Sequence, residues 1–420
     1  MCCCVGLVGK SCDGGRCDSS ARLMYCIYLL LVAVVGYFLT NIPQWTTTKL
    51  SQYSYYAFSG CDSNECFGVM AAFRITSATT VFHGLLALVL VGVKTGDRRD
   101  GLQNSFWGAK LVALVGLIVA FFLVPNVGFV YYGYISIGGA ALFVILQLML
   151  LVHFAHGWSE SWVSKYQESQ SRFWLVSLVG SVVVLYSLST VVSVLLYIYY
   201  GQHGGPCWIN TMFVTLNMIL CFFASCLSVL PKVQEKNPRS GLLQSAIVTS
   251  YCTYLVYSSL VSEPPTMNCT TVPSDPKSAS ANVSSILGIV FTFVAIVYSA
   301  VSSGTTETNE KSTLINNENL NPDTNIDPKD VEESKPSDEE KRNLQPVVYN
   351  YSFFHISFSL ASMYLAMVLT NWSIVTFSSQ LLVNQAIAIL WIKIISSWLT
   401  LLLYIWTIIA PILFPNRIFQ

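Results

Sequence analysis

The stretch from Phe173 to Tyr200 reads FWLVSLVGSVVVLYSLSTVVSVLLYIYY and holds no charged side chain. At about 1.5 Å per residue, a helix of this length crosses the ~30 Å hydrocarbon core of a bilayer. It also satisfies its own backbone hydrogen bonds where no water can reach. A membrane-spanning helix is the only economical reading of this segment. Working outward in the 420-residue chain, nine further stretches have the same character. They run approximately from Arg22 to Thr40, Ser77 to Val93, Phe106 to Val124, Tyr131 to Phe154, Thr211 to Leu230, Leu243 to Val261, Ser285 to Val301, Phe353 to Thr370, and Ile389 to Phe414. Composition agrees, with 53% hydrophobic residues, 10% charged residues and a mean hydropathy of +0.56. A water-soluble fold would leave too much of that surface exposed. The sequence predicts an all-α polytopic membrane protein with about ten transmembrane helices.

Charge placement sets the expected orientation. Net charge is zero, so nothing in overall charge points to nucleic acid. With the amino terminus in the cytosol, eighteen of the 22 Lys and Arg residues fall on the cytosolic side. Only Lys49, Arg74 and Lys277 fall outside, and Lys393 lies within the last span. Such a bias fits both termini being cytosolic. The sequons at Asn268, Asn282 and Asn371 all lie in segments assigned to the outer face, where glycosylation occurs. The first apolar stretch has the length of a span rather than of a cleavable signal core, so it is expected to act as its own insertion signal.

The chain divides into a Cys-rich cytosolic leader over 1–21, an eight-helix membrane region over 22–301, an acidic loop over 302–350, and two carboxyl-terminal helices with a short tail over 351–420. From Thr305 to Gln345 there are 11 acidic and 5 basic residues and almost no large apolar ones, the composition of a disordered cytosolic linker. Cys2, Cys3 and Cys4 lie in reducing surroundings and are candidates for S-acylation. Cys61, Cys66, Cys207 and Cys269 lie outside and could form disulfides, although spacing does not assign the pairs.

Ionisable groups in or beside hydrocarbon need partners, water or an interface. Lys393, about a turn into the last helix, is the deepest candidate, and snorkelling to the interface is its ordinary explanation. His153, His156 and Glu160 close the fourth span. At 100° per residue, the second and third lie about 60° and about 20° from the first, so all three share a helix face. They could shuttle a proton or ligate zinc, with His83 or His355 joining only through tertiary structure. More often such a cluster, flanked here by Trp158 and Trp162, anchors a helix end at the interface. Arg74 and Glu263 flank spans on the outer side and are most simply interfacial charges. Asn217 and Gln147 are amides of the kind that hold helices together. Phosphate-binding loops, nucleophile elbows and helical zinc-protease signatures are missing. Neither catalytic residues nor a cofactor or metal are expected.

Several stretches together resemble the serine incorporator (Serinc, TDE or TMS) family. They include Cys2-Cys3-Cys4, Ala72-Phe73-Arg74, Asp97-Arg98-Arg99, Gln103 to Trp107 with Lys110, and Phe154-Ala155-His156-Gly157-Trp158-Ser159-Glu160. Near the carboxyl end come Tyr351 to His355, Ala361 to Tyr364, Thr370-Asn371-Trp372, Ser397-Trp398, Leu403 to Thr407 and Ala410-Pro411. The chain departs from the family pattern at His153, where an acidic residue is usual, at Tyr257, where tryptophan is usual, and at Asn416, where aspartate is usual. The resemblance implies a ten-helix protein of the endomembrane system (endoplasmic reticulum or Golgi) or plasma membrane. It implies a role in serine entry into phosphatidylserine and sphingolipids, ATP-independent phospholipid scrambling, or both. Membrane lipids are the expected partners, with L-serine, lipid-synthesis enzymes and further copies of the chain also compatible. Two alternatives are a serine carrier or scaffold for lipid-synthesis enzymes, and a membrane-embedded metal-dependent lipid hydrolase built on His153, His156 and Glu160. For a lipid mover, Arg74, His153, His156, Glu160 and Lys393 are the candidate path residues.

Overall fold

Every predicted span is a helix in the computed structural model, which describes residues 14–41, 61, 63–93, 99–201, 207–236, 241–263, 269, 282–298, 350–377, 381–384 and 387–413. The helices are α1 (Gly14–Thr40), α2 (Asn64–Val89), α3 (Asp100–Asn104), α4 (Trp107–Phe122), α5 (Asn126–Ser169), α6 (Arg172–Tyr200), α7 (Trp208–Ser228), α8 (Pro231–Lys236), α9 (Leu242–Val261), α10 (Asn282–Tyr298), α11 (Tyr351–Leu369) and α12 (Ile387–Leu413). Seven of these, α1, α2, α5, α6, α7, α11 and α12, are long and apolar enough to cross a membrane, and α4 and α10 are shorter apolar helices. The chain is a polytopic α-helical membrane protein. Cys2, Cys3, Cys4, Asn268 and the acidic loop over 302–350 lie outside the described residues.

Two of the ten helices differ instructively from the expectation. The second begins at Asn64 rather than near Ser77, because Ser63 caps it through a bond from the Cys66 amide. The seventh, α9, is helical as expected but is not among the apolar spans. Nearly all of it is buried, including Gln244, Ser245, Thr249, Thr253, Ser258 and Ser259. A helix surrounded by protein has no need of apolar side chains, since neighbouring helices supply hydrogen bonds. The reverse holds at the periphery. Val112 of α4 and Phe222 of α7 are each 72% exposed, a surface suited to acyl chains and costly in water.

The 44-residue α5 is about 66 Å long at 1.5 Å per residue and forms the spine against which α2, α6, α9 and α11 pack. Gly133 faces the Phe73 ring of α2, and Gly139 faces Met363 of α11, so closely that a Cβ at either position would collide. These two glycines let the helices approach. Because α11 packs extensively on both α2 and α5, the last two helices belong to the same core as the first eight. The buried centre includes Tyr25, Phe73, Phe143 and Tyr364. Between α11 and α12 runs an antiparallel hairpin, β1 (Ile374–Phe377) and β2 (Leu381–Asn384), with Ile374 opposite Asn384. The sequence reading missed it, since four-residue strands carry too little periodicity to register.

Two disulfides, Cys61–Cys66 and Cys207–Cys269, lie at one end of the helices. The second ties the start of α7 to the segment after α9 across 62 residues. Closing a loop of that size removes unfolded-state entropy worth about 4 kcal/mol. Cys207→Ser is therefore expected to lower the unfolding temperature markedly in detergent, to the same value as Cys269→Ser and as the double variant. A thermal melt of the three variants checks this.

Beside this bridge, Glu263 is buried and accepts from Asn210 Nδ2 at 3.0 Å. Burial pushes its carboxyl above the usual carboxylate range, partly opposed by that hydrogen bond. A carboxyl raised on folding binds more protons in the native state than in the unfolded one, so stability falls as pH rises between the unfolded and folded values. Glu263→Gln is expected to flatten that part of the stability profile, measured as melting temperature against pH from mildly acid to neutral.

Candidate functional site: a lipid-facing groove

The polar residues singled out in the sequence serve two different purposes, and most of them tie helices together. Arg74 of α2 is fully buried. Its guanidinium donates to the carbonyls of Phe121 and Val124 and to Asn126 Oδ1, with the Phe129 ring 4.2 Å from its centre. It is the clamp on the turn from α4 to α5. It does not pair with Glu263.

Lys393 does not snorkel. It is 3% exposed, and its Nζ donates to the Ser258 carbonyl at 2.8 Å, Ser258 Oγ at 3.0 Å and Ser262 Oγ at 2.7 Å. Those three bonds use all three ammonium protons. The Trp372 ring lies 4.7 Å away. Lys393 is a cross-link between α12 and the end of α9.

His83 and His355 are brought together by α2 and α11, and not with His153. Their Nδ1 atoms are 2.9 Å apart, and His355 Nε2 lies 2.8 Å from Gln103 Oε1. The amide oxygen only accepts, so His355 carries its proton on Nε2 and takes a bond at Nδ1 from His83. Lys110 Nζ donates to the Gln103 carbonyl at 2.9 Å and faces the Trp107 ring at 4.0 Å. This buried chain joins α2, α3, α4 and α11. Among the described residues, no group of three or more His, Cys, Asp or Glu side chains is arranged to hold a metal ion, which gives the hydrolase alternative no geometric support.

The motif closing the fourth span lies well inside α5. His153 and Glu160 are exposed and His156 half-buried. His156 Nδ1 is 3.3 Å from Gln244 Nε2 of α9. Tyr298 of α10 donates to the His153 carbonyl at 2.9 Å and sits against Gly157, where any side chain would displace it. The motif is thus the joint where α5, α9 and α10 meet. Its aromatic face does something more. Leu151, Phe154 and Trp158, spaced i, i+3 and i+7, line a groove of about 550 Å³.

Helix α6 forms one wall of the groove with Leu188, Ser189, Val192 and Leu195, and α10 the other with Leu287, Val290 and Phe291. The polar helix α9 contributes Ser250, Thr253, Tyr254 and Tyr257. Leu188 is 57% and Val290 50% exposed, so the rim opens on the apolar periphery of the molecule. Only one stripe of α6 is buried, Ser189, Ser193, Leu196 and Tyr200, at intervals of about one helical turn. Ser189 Oγ reaches Ser250 Oγ at 3.1 Å, forming a hydroxyl seam within otherwise apolar walls. None of Arg74, His153, His156, Glu160 and Lys393 lines it. Sequence reasoning missed the groove because its lining looks, residue by residue, like an ordinary span. Tyr257, one of the departures from the family pattern, is part of that lining.

Asn282, a candidate glycosylation site, is half-buried at the start of α10. Asn371 follows α11, and its Oδ1 accepts from Ser285 Oγ at 2.7 Å.

The sequence model of the Serine incorporator (Serinc) family matches residues 1–417. A "Probable serine incorporator" of Nematostella vectensis is 35% identical, covering 96% of this chain and 92% of its own length. "Serine incorporator 3" of Bos taurus is 32% identical over 99% of this chain and 95% of its own. "Membrane protein TMS1" of Saccharomyces cerevisiae is 32% identical over 99% and 94% respectively. With an all-helical membrane fold and a match along nearly the whole length, this chain belongs to the serine incorporator family.

Proposed function

We propose that the protein moves phospholipids between leaflets without ATP, the polar heads passing along the groove between α5, α6, α9 and α10 while the acyl chains stay in the bilayer. The observation that carries this reading is the hydroxyl seam of Ser189, Ser250 and Thr253 set in a groove whose rim opens on exposed apolar surface. Moving a polar head through hydrocarbon unaided costs several kcal/mol, and hydroxyls along the way offset part of that cost. Among the described residues no acidic or basic side chain lines the groove, so the head would not be selected by charge.

Both termini are placed in the cytosol and the disulfide-bearing end outside. In support, disulfides persist in oxidising compartments, and the basic residues gather at the opposite ends of the helices. The compartment is taken as the endoplasmic reticulum, Golgi or plasma membrane, and the chain as a mover rather than an enzyme. The names of the relatives favour a second reading, in which the protein carries or presents L-serine to lipid-synthesis enzymes.

Reconstitution of the purified chain into liposomes separates the two. Fluorescent lipids bearing choline, ethanolamine and serine heads are exposed to a membrane-impermeant quencher, and labelled serine uptake is followed in the same vesicles. Quenching of inner-leaflet lipid at similar rates for all three heads, without serine uptake, is the expected result. Serine accumulation with an intact inner leaflet would instead select the second reading.

A further inference from the structure

Behind the groove, on the other side of the α6–α9 contact, lies a second crevice of about 400 Å³ between α6, α7 and α9. Ser189 and Thr253 line both. The two differ in chemistry. The crevice carries hydroxyls on all three helices, among them Tyr186, Thr190, Ser193, Ser225 and Thr249, together with the amide of Asn217.

The direction of the existing hydrogen bonds decides what this lining offers. Thr190 donates to the Tyr186 carbonyl at 2.8 Å, Ser193 to the Ser189 carbonyl at 2.9 Å, and Ser225 to the Cys221 carbonyl at 2.8 Å. With its proton turned back to its own helix, each hydroxyl presents oxygen lone pairs. Ser225 Oγ already receives one bond, from Tyr186 at 2.6 Å. Thr249 is 8% exposed, lines the crevice and has no hydrogen-bond partner among the described residues. Its hydroxyl is therefore open to a ligand in the crevice.

Three of the lining hydroxyls, Thr190, Ser193 and Ser225, therefore ask for a donor. Among the described residues the lining holds no carboxylate, amine, guanidinium or imidazole, so a charged head resident there, unlike one in transit, would have no counter-charge to hold it. Phe222 is 72% and Leu242 43% exposed at the margin, where they offer contact to an apolar body lying in the bilayer. The volume falls in the range of small-ligand sites.

We infer that this crevice binds an uncharged membrane lipid whose polar end is a hydrogen-bond donor, a hydroxyl or an amide N–H. That chemistry is shared by sterols, diacylglycerols and ceramides, and it is absent from a phosphatidylcholine head, which has no donor. The inference stands apart from lipid movement through the groove, since Thr190, Ser193, Ser225, Cys226 and Thr249 line the crevice and not the groove.

Photoreactive, clickable analogues of a sterol, a diacylglycerol, a ceramide and phosphatidylcholine, each added to the full chain in liposomes, test it directly. Labelled peptides are mapped by mass spectrometry. At least one of the three uncharged probes is expected to label peptides from α7 around Asn217 to Val229, and the probe that does so identifies the source. Excess unlabelled lipid of the same class should compete. Thr249→Val, which keeps the shape and removes the hydroxyl, is expected to weaken that labelling roughly five- to tenfold. Cys226 is an exposed residue of the lining, and Cys226→Trp is expected to abolish labelling while leaving the melting temperature unchanged. Labelling of these peptides by none of the uncharged probes, equal labelling by phosphatidylcholine, or labelling indifferent to a folded Cys226→Trp protein would each overturn the inference. Because the readout is position of labelling, it is unaffected by whether the reconstituted protein scrambles lipid.

Discussion

Replacing Arg74 with alanine is expected to destabilise the folded protein by about 3–5 kcal/mol, enough to remove much of the stability of a typical domain. The guanidinium satisfies two main-chain carbonyls at the end of α4 and the side chain of Asn126 at the start of α5. Without it, the Val124 carbonyl and Asn126 Oδ1 lose a charged donor, the Phe121 carbonyl keeps the Val124 amide at 3.4 Å, and the Phe129 ring loses the cation stacked on it. Arg74→Lys is expected to recover little. An ammonium is a point charge on a thinner stem and lacks the planar fork that reaches acceptors on both sides of the turn. The melting temperature in detergent of the two variants beside the parent protein reads this out. An alanine variant that melts with the parent would show that the turn is held by packing alone.

The second large effect is expected on lipid movement rather than on stability. Leu188 projects from α6 into the groove and is 57% exposed, so Leu188→Trp adds bulk where there is space to receive it and little core to disturb. The indole would lie across the path beside Ser189, displacing the head from its hydroxyl partners. Losing even one such bond at the top of the barrier costs at least tenfold in rate, equivalent to about 1.4 kcal/mol. Val112→Trp, on the exposed face of α4 and outside the groove, is the matched control and should leave the rate unchanged. Equal inhibition by both substitutions would point to a general effect of a bulky ring at the lipid surface.

The helices were legible in the sequence because hydrophobic length is a property of consecutive residues, and a bilayer imposes it on each span separately. Even the polar seventh span was found, since Leu243 to Val261 retains enough apolar residues to stand out between polar loops. Its burial at the centre of the molecule was not legible, because that depends on which helices surround it. The charged positions stand out in the sequence as unusual, whereas their partners do not. Arg74 and Lys393 look alike in sequence to residues on a substrate path, and only the positions of Phe121, Val124, Asn126, Ser258 and Ser262 reveal them as clamps. His83 and His355 meet across 272 residues, a separation no local pattern encodes.

The groove was the least legible feature. Ser189, Ser250 and Thr253 are small polar residues of a kind found in many spans, and they become a seam only when one stripe of α6 is laid against α9. The motif from Phe154 to Glu160 touches the groove through residues other than its histidines. Its histidines drew attention, whereas its aromatic residues line the groove and its glycine admits Tyr298.

The decisive measurement is the extent of quenching of a fluorescent phospholipid in vesicles that each hold about one protein, read for the parent chain, Leu188→Trp and protein-free vesicles in parallel. Passage of the groove by lipid heads predicts near-complete quenching with the parent chain, and a much slower second phase with Leu188→Trp. A parent chain whose signal halts at the outer leaflet, as in vesicles without protein, would contradict it.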